Sequence, residues 1–231
     1  MNKVAKIIIE VVLLAGIAGL VYLLYSNIMQ PVNFNKEKAS RQAVAVQRLK
    51  DIRTLQVAYK SVTGKFNSSI DSLKQFYETG EMAVVMQVGS MDDSLAVSHT
   101  DAVKKASRGK ITNAELYAMY LNGDKNLVFS VENKVPVRDT LFNNREDFCI
   151  DSLKYIPFSG KQPVEMEATV KMVSGVPVPL FEARIPWKAL LKGMNNQLRI
   201  NLDAESRDLN RYEGLQVGSV TAPNNNAGNW E

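Results

Sequence analysis

The sequence predicts an α+β protein: an N-terminal transmembrane helix, a long amphipathic juxtamembrane helix, then a mainly antiparallel sheet with short helices. Three observations carry this prediction. A long apolar run covers residues 7–29, and apolar residues then recur at the 3.6-residue period of a helix. From residue 164 apolar and polar residues alternate, as in a strand with one buried face.

The chain divides into five segments by composition and pattern. The 45% hydrophobic and 23% charged content is that of a folded protein and argues against a long disordered stalk. The predicted segments are a cytoplasmic N-terminus at 1–6, the transmembrane helix at 7–29, a juxtamembrane helical segment at 30–80, an α+β extracytoplasmic domain at 81–220 and a polar C-terminal tail at 221–231.

The apolar run at 7–29 is long enough to cross a bilayer, since about 20 helical residues match a hydrocarbon core of about 30 Å. Lys3 and Lys6 precede it, as they would in a signal peptide. The run exceeds the usual core of a signal peptide, however, and no small-x-small cleavage site follows it. We therefore expect an uncleaved signal anchor.

The predicted location is the inner (cytoplasmic) membrane, with a single pass and a periplasmic or extracytoplasmic C-terminal domain. Long domains translocate largely regardless of the charges that flank a span, although Lys36, Lys38 and Arg41 favour the opposite orientation.

Three residues of the span are candidate contacts with a partner. Ala15 and Gly19 form a small-xxx-small pair, which lets two helices approach closely. Glu10 is the ionisable side chain within the run. It either meets a partner or pairs with Lys6 one turn earlier.

The juxtamembrane helix is predicted at about 36–63, after Pro31, with Asn33 or Asn35 as its cap and Gly64 as its stop. Its apolar residues recur at spacings of three and four and form one stripe. This stripe packs either on the protein's own domain or on another copy, and it contains Ala45, Leu49, Ile52, Leu55, Tyr59 and Val62. We take Leu49, Ile52 and Tyr59 as its candidate partner-binding residues.

Basic residues concentrate beside the span. Residues 36–65 hold eight basic and two acidic side chains, whereas the whole chain has a net charge of +4. Such a segment lies over anionic headgroups, meets an acidic partner, or is a solvated helix face. Nucleic-acid binding is not expected, because stacking aromatics do not accompany the basic residues.

The rest of the chain is predicted element by element. Ser68 and Asp71 open a short helix that ends at Gly80, and the Thr112 to Glu115 capping box opens another at 113–122. Residues 89–111 are expected to be irregular and mobile, with a weak helix near 100–108. Strands are expected at 82–88, 127–131, 135–141, 153–158, 197–202 and 215–220, and helices at 187–192 and 204–212.

The clearest strand signal is a hairpin, 164–173 joined through Ser174 and Gly175 to 176–185. Pro177 and Pro179 remove ladder donors, so their half of the second strand is expected at an edge.

The layout of residues 1–77 resembles type IV pilins and type II secretion pseudopilins. The resemblance rests on an apolar helix with Glu10 near its start, the amphipathic run 51–60, Gly64-Lys65-Phe66, and a Ser-Asp-Leu helix. It implies that Glu10 helps to align subunits in a filament. The chain has Ala5 and Lys6 where those proteins carry a leader-peptidase site ending in Gly, so we expect no such processing.

Three further blocks resemble a group of uncharacterised single-span envelope proteins of Bacteroidota. They are residues 31–36, residues 214–218 and the Asn-rich residues 224–230. This resemblance covers the full length and implies no biochemical activity.

Motifs for catalysis or metal binding are missing from the sequence. There is no complete phosphate loop and no Gly-x-Ser-x-Gly turn. His99 is the single histidine and Cys149 the single cysteine, which leaves a zinc site or a Ser-His-Asp triad hard to assemble. We expect Cys149 to be buried, and we expect no enzyme, cofactor or metal; a membrane-bound hydrolase would need a deep pocket containing Asp or Glu with a raised pKa.

The expected function is that of a membrane-anchored structural or scaffold subunit of a cell-envelope assembly, pilin-like or associated with secretion or transport. The alternative is a tethered extracytoplasmic binding module for a peptide or passenger protein. Expected partners are the lipid bilayer and other envelope proteins or further copies, without nucleic acid or a small-molecule substrate. In the tail, Trp230 docks on its own domain or in a partner's groove, or else ends a disordered segment.

Overall fold

The computed structural model describes residues 3–231, without the side chains of residues 3–6, 8 and 9. The chain is an α+β protein with a long N-terminal helix followed by two small antiparallel sheets and short helices, which confirms the predicted fold class. It divides into two compact units. Unit 1 is Met1–Val57, Lys65–Asp71 and Cys149–Glu231, and unit 2 is Ala58–Gly64 and Ser72–Phe148.

Helix α1 runs without a break from Lys3 to Thr63, so the predicted boundary near Pro31 is wrong. A proline inside a helix removes one backbone hydrogen bond and costs about 3 kcal/mol. The loss is confined to the turn that contains Pro31, and the residues before and after this turn keep their backbone hydrogen bonds. The helix ends where Gly64 adopts a left-handed φ of 77° and its N–H donates to the Lys60 carbonyl at 2.8 Å.

The first part of α1 is apolar and exposed. Among the described residues one helix, Glu10–Thr63, is long and apolar enough to cross a membrane by length and composition; its apolar window has a mean hydropathy of 2.0 and is 0% buried. The large side chains from Val11 to Ile28 in this stretch are half or more exposed. The helix is therefore a candidate membrane span.

The sheet of unit 1 has three antiparallel strands in the order β3-β4-β5. The predicted hairpin is confirmed, and Ser174 and Gly175 at its turn have φ of 51° and 82°, as a tight two-residue turn requires. Strand β5 pairs only with Glu182–Pro186, so the half of β4 that carries Pro177 and Pro179 lies at an edge, as predicted. The strands are β3 Glu165–Val173, β4 Val176–Pro186 and β5 Gly214–Gly218.

Two predicted strands of unit 1 are not strands in the structure. Residues 197–202 belong to a helix whose N-terminus is capped by the Asn195 side chain, which accepts a hydrogen bond from the Leu198 N–H at 3.1 Å. Residues 153–158 contain only an isolated bridge, between Tyr155 and Pro163, after a 3-10 helix. The helical segments are the 3-10 helix Ile150–Lys154, α6 Trp187–Leu190 and α7 Asn196–Asp208.

The core of unit 1 combines α1 with the sheet. Phe66 and Phe181 pack ring to ring with centroids 4.8 Å apart. The buried Gln56 side chain donates to the Asn67 carbonyl and accepts from the Asn67 N–H at 3.0 Å, so its burial leaves no amide group unpaired. Other fully buried members are Leu49, Ile52, Leu55, Ile185, Leu190 and Val217.

Unit 2 is built on a two-stranded antiparallel sheet, β1 with β2. Its buried cluster is Val88, Leu116, Leu127, Phe129 and Val131. The elements numbered through this part of the chain are α2 Ile70–Thr79, β1 Glu81–Val88, α3 Ser94–Ala106, α4 Asn113–Leu121, β2 Phe129–Pro136 and α5 Val137–Thr140.

The predictions for unit 2 are correct for β1 and α4, and the Thr112 to Glu115 capping box is present. Two others differ from the structure. The helix expected near 100–108 is present as α3 but begins earlier, at Ser94, where the Asp93 side chain accepts from two backbone N–H groups. The two strands predicted at 127–131 and 135–141 are one strand, β2, followed by the short helix α5.

Candidate functional site

The candidate residues of the apolar segment lie on the exposed surface of α1. Glu10 and Ala15 are exposed, and a Cβ added at Gly19 would meet nothing within 4 Å. A second helix therefore has open access to the small-residue pair. The proposed pairing of Glu10 with Lys6 lies outside the described side chains. The partner roles of these three residues stay predictions.

The candidate residues of the juxtamembrane stripe lie inside the protein. Leu49 and Ile52 are 0% exposed, and both belong to the core of unit 1. Tyr59, in unit 2, is half-buried with its ring edge-on to Phe76 at 5.2 Å. Of the two possible roles of the stripe, packing on the protein's own domain is the one observed. Leu49 and Ile52 are buried in the protein's own core and have no exposed surface to offer a partner in this structure.

The basic residues of α1 hold other parts of unit 1. Arg41 donates to the carbonyls of Leu190 at 3.2 Å and Lys192 at 3.0 Å. Arg48 donates to the carbonyl of Tyr155, and partial burial lowers the pKa of its guanidinium. These arginines bind α1 to the later segments of unit 1 that contain residues 155 and 190–192. The sequence left a membrane-facing segment, a partner-facing segment and a solvated helix face open for these basic residues; in the structure Arg41 and Arg48 bind carbonyl groups of unit 1.

The C-terminal tail docks on the free edge of β5. The Asn229 N–H donates to the Gln216 carbonyl at 3.0 Å, and its side chain accepts from the Gln216 N–H at 3.1 Å. The same side chain donates to the Gly214 carbonyl at 2.9 Å. Val217 and Gly228 form an isolated antiparallel bridge. Of the alternatives for the tail, docking on its own chain is the arrangement in this structure.

Trp230 is partly buried within this docked tail. Its ring packs closely beside Gly228, where any side chain larger than hydrogen would collide with the indole. The indole Nε1 is buried and has no hydrogen-bond partner among the described residues. A buried donor without a partner costs free energy, so this atom needs an explanation.

A cavity of about 590 Å³ opens between α7 and the segment that follows it in unit 1. We call it the basic cavity, because four cationic side chains line it against two acidic ones. Its lining is Pro186, Lys188, Arg199, Ile200, Asp203, Arg207, Arg211, Tyr212 and Glu213.

Asp203 is the buried member of this lining. Its Oδ2 accepts from Arg199, whereas its Oδ1 is buried and has no hydrogen-bond partner among the described residues. Burial raises the pKa of this carboxyl, although the Arg199 guanidinium works in the opposite direction. The other carboxylate, Glu213, is held by Arg207 at 3.0 Å. A carboxyl of raised pKa in a cavity is the feature that the hydrolase alternative required. The second carboxylate of this cavity, Glu213, is already paired with Arg207, and cationic side chains surround both acids. This geometry favours binding of a ligand over hydrolysis.

Tyr212 forms one wall of the basic cavity. Burial and the nearby Glu165 carboxylate raise the pKa of its hydroxyl to about 12, so the phenol stays protonated at neutral pH. The Arg184 guanidinium lies 5.9 Å from the centroid of its ring. The wall is therefore a neutral aromatic surface that presents a hydroxyl group.

A second cavity of about 230 Å³ shares Arg211 and Tyr212 with the first. We call it the aromatic cavity, because Trp187 and Trp230 both line it. Its apolar lining includes Leu202, Leu209 and Leu215, and polar groups come from Lys38, Gln42, Glu205, Ser206 and Asn229.

Sequence reasoning missed both cavities. It assigned residues 197–202 to a strand, which separates Arg199 from Asp203 and Arg207. The available signal was their spacing of four residues, which places all three on one face of a helix, after the capping residue Asn195. A helix assigned to residues 197–207 would have predicted a cluster of the charged residues Arg199, Asp203 and Arg207 on one helix face, shortly before Tyr212 in the sequence.

The residues considered for catalysis are placed elsewhere. His99 bonds to Asp124 at 2.8 Å on the surface of unit 2. Cys149 is exposed, so the prediction of a buried thiol is wrong. Among the described residues no group of three or more His, Cys, Asp or Glu side chains is arranged to hold a metal ion.

Comparison with protein-family models, curated proteins and solved structures finds no match to this chain.

Proposed function

We propose that this protein is a membrane-anchored, non-enzymatic structural or scaffold subunit of a cell-envelope assembly. The observation that carries the proposal is the double use of α1. Its first part exposes an unbroken apolar surface, and the same helix later supplies Leu49, Ile52 and Leu55 to the core of unit 1. A helix that is both the membrane anchor and part of the core fixes the position of the folded domain relative to the membrane.

The arginine contacts support the same role. Arg41 and Arg48 bind carbonyl groups distant in sequence, and these contacts limit rotation of the domain about its anchor. A flexible tether would serve a module that searches for ligands. A fixed connection suits a subunit that must hold its domain in a defined place beside other subunits.

Crosslinking in native membranes tests the proposal. An amine-reactive crosslinker applied to cells that carry the full-length protein should give discrete higher-mass adducts, and mild detergent extracts should contain a species larger than the monomer. If the protein crosslinks to nothing and runs as a monomer at every concentration tried, the assembly role is refuted.

Glu10 gives a sharper test of the contact itself. A carboxylate inside a bilayer is costly, and such residues usually face a partner. Glu10→Gln should therefore abolish the higher-mass adducts while membrane insertion is retained. The control is Glu167→Gln, which neutralises an exposed carboxylate on β3 and should leave the adducts unchanged. Unchanged adducts in Glu10→Gln would leave Glu10 without a role in assembly.

The proposed orientation, with the folded domain outside the cytoplasmic membrane, has a direct test in Cys149. This thiol is exposed and is the only cysteine in the sequence. A membrane-impermeant maleimide should label it in spheroplasts before lysis, and Cys149→Ser should remove the signal. Labelling that appears only after lysis would place the domain in the cytoplasm.

A further inference from the structure

The contacts of α1 show which end of the folded part of unit 1 lies toward the exposed apolar stretch of this helix. Arg41 donates to the carbonyl of Lys192 at 3.0 Å. The Lys38 ammonium lies 6.0 Å from the centroid of the Trp187 ring. Contacts from later in the helix, by contrast, reach the C-terminal tail. Residues 186–193 therefore lie at the end of unit 1 that faces the apolar stretch.

This end of unit 1 lies close to the place where the predicted span ends. Phe34 is the first buried residue of α1 among those described, at 8% exposure, so packing on the helix begins there. It follows the end of the predicted span, residue 29, by about 8 Å at a helical rise of about 1.5 Å per residue. The headgroup layer adds about 5–7 Å on each side of the hydrocarbon core. Packing on α1 thus begins at about the outer limit of the headgroups.

The loop 157–161 lies at the same end and presents an aromatic ring. The Phe158 ring centroid is 4.9 Å from the Arg41 guanidinium, and the Lys192 ammonium donates to the Ser159 carbonyl at 3.1 Å. Phe158 is 51% exposed and has a φ of 61°. A bulky side chain at a left-handed φ is uncommon and costs free energy. The fold therefore keeps an aromatic ring half in water in an unfavourable backbone conformation.

The segments at this end carry an excess of positive charge. They are residues 30–42, 157–161 and 186–193, and we call their surface the proximal face. Together they hold six basic side chains and one acidic side chain. The acidic one, Glu37, is paired with Arg41 at 2.8 Å. Residues 196–213 hold three basic and four acidic side chains, so the excess does not extend into that segment.

Three lysines of the proximal face are available to an anionic surface. Lys36, Lys161 and Lys188 are exposed and form no ion pair among the described residues. Clusters of basic residues next to a membrane span are attracted by anionic lipids, and this attraction falls off within a Debye length. By distance along α1, the headgroup layer is the anionic surface nearest to these lysines.

We propose that the proximal face rests on the anionic phospholipid headgroups of the bilayer that the proposed anchor crosses. The lysine ammonium groups meet lipid phosphates, and the Phe158 ring packs among the headgroups, as aromatic and basic side chains of membrane-surface segments do. Helical side chains point toward the N-terminus, and membrane helices tilt by about 20° on average. Both effects bring the proximal face toward the lipid. The charge excess and the exposed ring then have one explanation.

This inference rests on the membrane anchor of the proposed function but does not depend on the assembly. A proximal face that does not contact lipid would leave crosslinks between subunits unchanged. A subunit that fails to crosslink would still contact its headgroups. The two experiments therefore fail separately.

The test measures the reactivity of individual lysines in the full-length protein. The protein is reconstituted into vesicles of phosphatidylcholine alone, or of equal parts of phosphatidylcholine and phosphatidylglycerol. Acetic anhydride then modifies accessible amines, and mass spectrometry of peptides gives the rate at each lysine. Acetylation of Lys36, Lys161 and Lys188 should be slower by about fivefold in the mixed vesicles, because a lysine bound to phosphate is withdrawn from the reagent. High salt should remove the difference.

Lys171 is the internal control for this measurement. It is exposed in unit 1 beside the turn of the β3–β4 hairpin, at the opposite end of β4 from residues 186–193. Its rate of acetylation should be the same in both kinds of vesicle.

Variants of Phe158 test the contribution of the ring. Phe158→Ala should raise the acetylation of Lys161 in the mixed vesicles, whereas Phe158→Trp keeps an aromatic ring and should retain the protection. Val176→Ala is the matched control, because Val176 is 60% exposed at the turn of the hairpin. Melting curves confirm that the variants fold.

Three results would overturn the proposal. The first is equal acetylation of the three lysines in both kinds of vesicle. The second is an equal slowing at Lys171, which would reflect the charge of the vesicles in general. The third is a slowing that survives high salt, which would indicate contact with another protein chain.

An alkaline carbonate wash of the vesicles reports on the anchor separately. A protein that stays with the vesicles while its lysines react equally refutes the headgroup contact alone. A protein that is washed off refutes the anchor as well.

Discussion

The guanidinium of Arg53 donates a hydrogen bond to the Glu231 carboxylate at 2.7 Å, which joins the C-terminal tail to helix α1. The same Nη1 lies 3.3 Å from the Asn226 carbonyl. The hydrogen bond from Arg53 to the carboxylate lowers the pKa of Glu231. Its contribution to stability is therefore present above the ordinary pKa of a glutamate and is lost as the pH falls through the lowered value.

Deletion of residues 224–231 should lower the melting temperature of the full-length protein in detergent by several degrees. The deletion removes the Asn229 hydrogen bonds to Gln216 and Gly214 and exposes the surface that Trp230 covers. Circular dichroism measures the change. The matched variant, Glu231→Gln, removes only a partly exposed ion pair and should melt close to the wild type at pH 7. An unaltered melt after the deletion would mean that the docked tail adds nothing to stability.

Leu49→Ala should destabilise the protein by about 2–5 kcal/mol, because the side chain is 0% exposed and its loss leaves a cavity. Chemical denaturation followed by circular dichroism measures the difference. Val44→Ala, on the same helix at 43% exposure, should change the free energy of unfolding by less than about 0.5 kcal/mol. If the two variants unfold alike, Leu49 is not a core residue in solution.

Gly218→Ala should be far more destabilising than Gly193→Ala, although both glycines have a left-handed φ, 73° and 82°. A Cβ at Gly218 would collide with the Phe181 carbonyl, whereas one at Gly193 meets nothing within 4 Å. The second substitution therefore reports backbone strain alone, worth about 1–3 kcal/mol. The difference between the two melting temperatures gives the destabilisation that the collision at position 218 causes. Similar values would show that β4 and the end of β5 are not packed this closely.

Asp203→Asn should change how stability depends on pH. Burial raises the pKa of Asp203 in the folded protein, so the folded state binds a proton more tightly than the unfolded state does. Stability must then fall as the pH rises through the ordinary Asp value of about 3.9 toward the raised value.

The difference in melting temperature between the wild type and Asp203→Asn tests this sign. The wild type should lose stability relative to the variant as the pH is raised from about 3 to 7, since the variant has no ionisable group at position 203. A difference that is constant across this range, or that moves in the opposite direction, would contradict the raised pKa.

The sequence predicted those elements whose signals are local. The hairpin of β3 and β4 was found because alternation and the Ser174-Gly175 turn act within a few residues, and α4 was found through its capping box. The first part of α7 was missed, since residues 197–202 carry both alternating polarity and the four-residue spacing of Arg199 and Asp203. Only tertiary contacts decide between two such patterns.

The candidate sites show the same limit. Periodicity identified the stripe with Leu49 and Ile52 correctly, but a stripe does not state what covers it, and the protein's own core does so. The basic cavity and the aromatic cavity bring together residues from 38 to 230, so their lining depends on the packing of α1, β4, α6, α7, β5 and the tail. No local pattern encodes the packing of elements so distant in sequence.

The unbroken path of α1 through Pro31 into the core decides where a protease is able to separate the folded part of unit 1 from the exposed apolar part of the helix. A cut between Ala45 and Leu55 would divide the buried part of α1 and remove core side chains, so the released fragment would unfold. A cut before Phe34, which is itself buried at 8% exposure, leaves the core intact. Release of a folded fragment by cleavage within α1 is therefore restricted to sites before Phe34, whereas a cut between Ala45 and Leu55 unfolds the fragment that it releases.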